Sequence, residues 1–148
     1  MRPIKRVGIP LILVLLMVGC AKNVNVTTQT PSQRVAVYNG ILAESNRAVV
    51  TGVQILQQNK VLTVSQTRTV LVYCDRVLNA STAVAVLQQS PGDWGVNALQ
   101  IKVILDQITP SGDILKLFGA NTEQSKVVLA SITSIQSAIQ SILKEVTK

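Results

Sequence analysis

Residues 121–148, NTEQSKVVLASITSIQSAIQSILKEVTK, decide how this chain folds. Val128, Ile132, Ile135, Ile139, Ile142 and Val146 follow at steps of four, three, four, three and four. That spacing puts the aliphatic residues on one face of an α-helix, whereas a strand would need every second residue. A seam of this kind has to be buried against other helices. Asn121 followed by Gln124 predicts the helix start as a capping box. The other side reads Ser131, Thr133, Ser134, Gln136, Ser137, Gln140 and Ser141, polar but uncharged. It is either a solvated face or a contact face, because uncharged side chains cost less to desolvate than charges. Gln136 and Gln140 are the candidate contact residues on it.

Upstream, the same pattern recurs. Thr30-Pro31-Ser32-Gln33 combines a capping Thr, a Pro suited to the first helical position and a Gln that closes the box. The helix it opens is expected to run to about Gln58, with Tyr38, Leu42, Val49, Val53 and Leu56 on or near one face. Gly40 and Gly52 within it are expected to allow close packing. Asn59 and Lys60 end that helix, and Thr63-Val64-Ser65-Gln66 repeats the box. The second helix, to about Gln89, carries Val70, Tyr73, Val77, Ala80, Val84 and Leu87 as its stripe. Its β-branched residues would suit a strand, but the helical period persists too long for one.

Ser90-Pro91-Gly92-Asp93 reads as a turn and a third helix start, with Ser90 as the cap and Pro91 first in the helix. Ala98, Ile101, Leu105 and Ile108 give its apolar steps, broadened by Val103 and Ile104. Thr109-Pro110-Ser111-Gly112 stops it, and residues 113–118 form at most one short turn before Gly119. Short connections between helices make neighbours antiparallel. The expected fold is therefore all-α, a small up-and-down bundle of about four helices over residues 31–148.

Composition agrees with a packed domain. Hydrophobic residues are 47% of the 148, charged residues 14% and aromatics 3%, too apolar for a disordered charged tail. The absence of histidine excludes Ser-His-Asp and Cys-His catalysis and histidine-ligated metals. The seven acids, Glu44, Asp75, Asp93, Asp106, Asp113, Glu123 and Glu145, are dispersed. Glu44 with Arg47, and Asp75 with Arg76, read as surface ion pairs, and a Glu44–Asp75 acid–base pair across two helices is the sole catalytic arrangement to weigh. No phosphate loop or calcium loop is present. Neither a cofactor nor a metal site is expected, and the chain reads as a binding or structural protein, not an enzyme.

The first twenty residues are of another kind. Met1-Arg2-Pro3-Ile4-Lys5-Arg6 is basic, and residues 7–19 are thirteen uncharged, mostly apolar residues. This is the layout of an export signal. The apolar run would span about 20 Å as a helix, short of the roughly 30 Å hydrocarbon core, which weighs against a retained transmembrane anchor. The stretch closes on Leu16-Met17-Val18-Gly19-Cys20, which resembles the lipobox of bacterial lipoproteins, with Met17 where that family favours Leu. The resemblance covers residues 1–20. It implies cleavage between Gly19 and Cys20, a diacylglyceryl thioether on the Cys20 sulfur and an acyl chain such as palmitate on the new amino terminus. Ala21, where Asp would hold an enterobacterial-type lipoprotein at the inner membrane, implies the outer membrane, on its periplasmic or surface side, or the outer cell surface if the host has one membrane. Small helical lipoproteins of this sort also occur on prophages, an analogy of type to which no residue here points.

Residues 20–30 then form a lipid-anchored tether, polar and without a helical period, reaching about 30 Å when extended. Loss of residues 1–19 removes Arg2, Lys5 and Arg6 and lowers the formal charge from +7 to +4. The remaining basic residues are scattered, so no nucleic-acid partner is expected. Cys74, left as an odd thiol, is expected to be buried; the alternative outside the cytoplasm is pairing between chains. Trp94 is a candidate contact residue, as a partner or membrane anchor, with capping of the bundle end as the other reading. The expected function is a membrane-anchored envelope lipoprotein that meets a protein partner or itself. The alternative is a carrier of a small hydrophobic ligand, held where Gly52, Ala80, Ser81 and Ala83 leave the seam unfilled.

Overall fold

The structure, a computed structural model, describes residues 29–108, 112–119 and 122–148. Gly19, Cys20 and the rest of the export signal, most of the tether, Thr109 to Ser111 and Asn121 lie outside the described residues. Among the described residues five helices follow in order: α1 Pro31–Gln58, α2 Val64–Gln89, α3 Trp94–Asp106, α4 Gly112–Lys116 and α5 Glu123–Val146. No strand occurs among the described residues.

Local chemistry sets most of the ends. Thr30 and Thr63 both form complete capping boxes, with Gln33 and Gln66 answering three residues on. α1 closes in a Schellman turn, where the Lys60 N–H donates to the Gln57 carbonyl and the Val61 N–H to the Leu56 carbonyl. Lys60 takes the left-handed conformation of that turn at φ 58. Two starts differ from expectation. α3 begins at Trp94 with Asp93 as its cap, the Asp93 carboxylate accepting from the Gly95 N–H at 2.9 Å. Ser90 instead ends α2 and returns its hydroxyl to the Val86 carbonyl. α5 is capped by Thr122, which accepts from the Ser125 N–H.

The main packing pairs are α1 with α5, α1 with α2, α2 with α3 and α3 with α5. They close a ring in which α1 and α3 are diagonal, the up-and-down four-helix bundle expected, with α4 a short turn on the way from α3 to α5. α1 runs antiparallel to α2, since the Gln88 amide donates to the Ser32 carbonyl, Asn39 to Ser81 and Asn46 to Cys74, all at 3.0 Å. It runs antiparallel to α5 as well. Arg34 meets Glu145 at 2.6 Å, Ser45 meets Ser134 at 2.9 Å, and Gly52 meets Val128.

The core is aliphatic. Every member of the α5 seam from Val128 to Val146 is buried, with Val35, Leu42, Val49, Val53 and Leu56 of α1 and Val70, Val77 and Val84 of α2. Ile114 within the short α4 and Phe118 just after it are buried too. Val103, expected to broaden the buried stripe of α3, is instead 60% exposed. Its place on the helix is turned away from Ala98, Ile101 and Leu105, which face inward. α2 and α5 have mean hydropathies of 1.4 and 1.3 over their most apolar windows, enough by length and composition to cross a membrane. In the bundle, the stripes that carry much of that hydropathy face the other helices.

Of the two glycines expected to allow close packing, one does. A Cβ on Gly52 would overlap a Val128 methyl, whereas one on Gly40 meets nothing within 4 Å. The Arg34–Glu145 pair ties the far end of the same seam. The Arg34 Nε–H and guanidinium N–H both donate to one Glu145 oxygen, and the Lys148 ammonium donates to the other. These hydrogen bonds, Arg34 foremost, hold the Glu145 carboxyl below the usual carboxylate range; burial opposes them and Lys148 assists.

Two predictions follow from this seam. Gly52→Ala should cost about 1–3 kcal/mol in chemical denaturation, because α1 and α5 must separate, while Gly40→Ala should stabilise by about 0.4–1 kcal/mol. Glu145→Gln should lower stability at neutral pH by about 1–2 kcal/mol. A carboxyl whose folded pKa is depressed stabilises fully above its unfolded value of about 4.3 and stops doing so as pH falls through the folded value. Thermal melts of the variant and the parent should therefore differ at pH 7 and draw together only as pH falls below the unfolded value and through the depressed folded one.

Candidate functional site

The candidate contact residues occupy two places. Trp94 opens α3 and is half-buried against the core at the bundle end where α1 starts and α2 finishes. The Asn97 amide fastens that corner by donating to the Leu87 carbonyl at 3.0 Å. Gln136 and Gln140 lie on the α3 side of α5. They line an open groove of about 230 Å³ with Leu105, Asp106, Ile108, Ile139 and Leu143. The structure brings these two glutamines together and leaves Trp94 apart from them, at the other end of α3.

The uncharged face of α5 is therefore divided. Ser134 faces α1, where its hydroxyl meets that of Ser45. Ser131 and Thr133 donate to the carbonyls of Val127 and Leu129 in their own helix. Gln136 and Gln140 border the groove toward α3, and Ser137 is exposed.

A second groove of about 450 Å³ runs between α2 and α3, lined by Arg76, Asn79, Ala80, Ile104, Gln107 and Ile108. Of the small residues expected to leave the seam unfilled, Ala80 alone lines it. Gly52 is filled by Val128, Ser81 is buried with its carbonyl taken by Asn39, and Ala83 is half-buried. Small side chains here draw helices together more than they open space between them.

Sequence reading missed a polar line inside the bundle. Asn39 and Asn46 hold core positions of α1 seven residues apart, and they donate to the Ser81 and Cys74 carbonyls of α2, also seven apart. The signal was present: Val35, Asn39, Leu42, Asn46, Val49, Val53 and Leu56 form an unbroken four–three repeat once asparagine is admitted. Cys74 sits on this line and is buried. Burial, then the neighbouring Asp75 charge, push its thiol up to about 12. The Tyr73 phenol is pushed up to about 12 by burial and by Cys74. At neutral pH the thiol is protonated and shielded, the opposite of a reactive cysteine.

The charged groups weighed for chemistry lie outside the grooves. Glu44 and Asp75 are both exposed, and neither lines the grooves described. The expected Glu44–Arg47 and Asp75–Arg76 pairs do not form. Adjacent helical residues point about 100° apart, and exposed long side chains gain little by pairing. Among the described residues the pairs that do form are Lys102–Asp106, Lys116–Asp113 and Lys126–Glu123 within helices, beside the Glu145 cluster. No three metal-ligating side chains come together among the described residues. Comparison of the chain with protein-family models, with curated proteins and with solved structures found no match in any of the three.

Proposed function

We propose that this chain is a bacterial envelope lipoprotein: a helical bundle held by lipid on Cys20 at the outer membrane, acting as a protein-interaction or structural module. The observation that carries the reading is the sequence Leu16-Met17-Val18-Gly19-Cys20 behind a basic segment and an apolar run of lipobox type. Only a cysteine supplies the thiolate that takes the diacylglyceryl group, and two or more acyl chains hold a protein stably where one does not. Residues 1–19 are then the signal peptide, and residues 20–30 link the lipid to α1.

A role in binding is supported by the surface. The uncharged Gln136 and Gln140 of α5 border an open groove, and such surface is cheap to desolvate against a partner. That partner is a protein or a second copy of this chain. The alternative, a carrier of a small hydrophobic molecule, is favoured by the groove where Ala80 faces Ile104 and Ile108.

Intact-mass analysis of the chain from the membrane fraction, beside a Cys20→Ser form, tests the reading. The expected mass is that of residues 20–148 plus the lipid, with Cys20→Ser lost from the membrane. An unmodified chain, or equal membrane association of both forms, would contradict it. Under native conditions a retained small molecule would favour the carrier.

A further inference from the structure

A surface helix of a bundle normally turns a polar face outward. α3 does not. Val96, Leu99 and Val103, at steps of three and four, stand opposite the buried Ala98, Ile101 and Leu105 and are 55%, 65% and 60% exposed. The two charged residues of α3, Lys102 and Asp106, are paired with each other. Leu99 and Val103 also form the wall of a shallow groove with Gln100 and Ile104. α3 is thus apolar on two sides, and the bundle covers one.

We propose that the outward face of α3 rests on the lipid surface to which the chain is anchored, an inference that builds on the lipoprotein reading above. The placement of the tether supports it. Thr30, where the tether joins, caps α1 at the end of the bundle where α2 finishes and α3 begins, as the Gln88–Ser32 and Asn97–Leu87 hydrogen bonds show. From Cys20 to Thr30 the chain can extend about 30 Å. Because α1 and α3 are diagonal, the tether has to pass from the start of α1 across the bundle to the outer side of α3, roughly 20 Å for neighbouring helices packed about 8–10 Å apart. The tether reaches that far, so the bundle can rest on that side.

The size of the patch argues in the same direction. Three aliphatic side chains supply well under half of the roughly 800 Å² that each partner gives to a stable protein interface. For a chain already held at the bilayer, docking is an intramolecular event at high effective concentration, and a small patch suffices.

The test uses the full chain purified from membranes, carrying Val103→Cys and labelled with an environment-sensitive fluorophore. The shielded Cys74 thiol takes no label, so one label per chain means that Cys20 is lipidated and two mean that it is free. The latter result would remove the lipoprotein reading and this inference together. In phosphatidylethanolamine–phosphatidylglycerol vesicles the label should shift to shorter wavelength and brighten severalfold. A label at Arg47→Cys, on the exposed side of the diagonal helix α1, should not change. Adding Val96→Gln and Leu99→Gln should abolish most of the change while the protein still floats with the vesicles. Flotation without any change at position 103, or equal change at position 47, would overturn the docking and leave the anchor standing. A change at 103 that occurs without vesicles and with a doubled mass would overturn it in favour of a second copy.

Discussion

The close approach of α1 and α5 is the constraint on which the remainder of the bundle rests. With no side chain at Gly52, the Val128 methyl enters a space that even a Cβ would fill. Half-way along the seam the Ser45 and Ser134 hydroxyls meet, and at its end Arg34 meets Glu145. These contacts are spaced along the helices so that they agree on a single antiparallel register. A slip by one turn would break all of them together. Because α1 is held so closely on one flank, its aliphatic stripe turns inward between α5 and α2, and α3 is left to close the ring from the diagonal.

The α1–α2 flank is specified differently. Asn39 and Asn46 donate into α2 at carbonyls one heptad apart, a polar device that costs stability and rewards one alignment over its neighbours. Each asparagine amide oxygen lacks a hydrogen-bond partner among the described residues, so the pair is retained at an energetic cost. Cys74 takes part through its backbone carbonyl, and its thiol is a buried small group. A chain with few aromatics and a core of Val, Leu and Ile has little shape diversity with which to choose a register. Polar contacts and a glycine do that here.

Much of this was legible in the sequence, for reasons that differ by feature. The starts of α1 and α2 could be read because a capping box is complete within four residues and needs nothing distant. The α5 seam could be read because six aliphatics repeat without interruption. The start of α3 could not, since Ser90-Pro91 and Asp93 are competing local signals and the Asn97–Leu87 contact that fixes the corner is tertiary. Asn39 and Asn46 escaped because a search for apolar periodicity skips asparagine, and Gly40 and Gly52 look alike until Val128 distinguishes them. For the functional surface, Gln136 and Gln140 proved to share a groove, but the outward aliphatic face of α3 became visible only once its inward face was known. Cys20 and Gly19 rest on the lipobox resemblance alone.

The antiparallel α1–α5 register is the claim most directly open to measurement. With both serines replaced, Ser45→Cys and Ser134→Cys should oxidise to an intramolecular disulfide, since the native oxygens lie 2.9 Å apart and that leaves the two Cβ atoms within bridging reach. Ser45→Cys paired with Ser141→Cys, one heptad or about 10 Å further along α5, should not. Cross-linking of the first pair with little of the second is the predicted result. Equal cross-linking of both, or of the second alone, would contradict the register and with it the arrangement of the bundle.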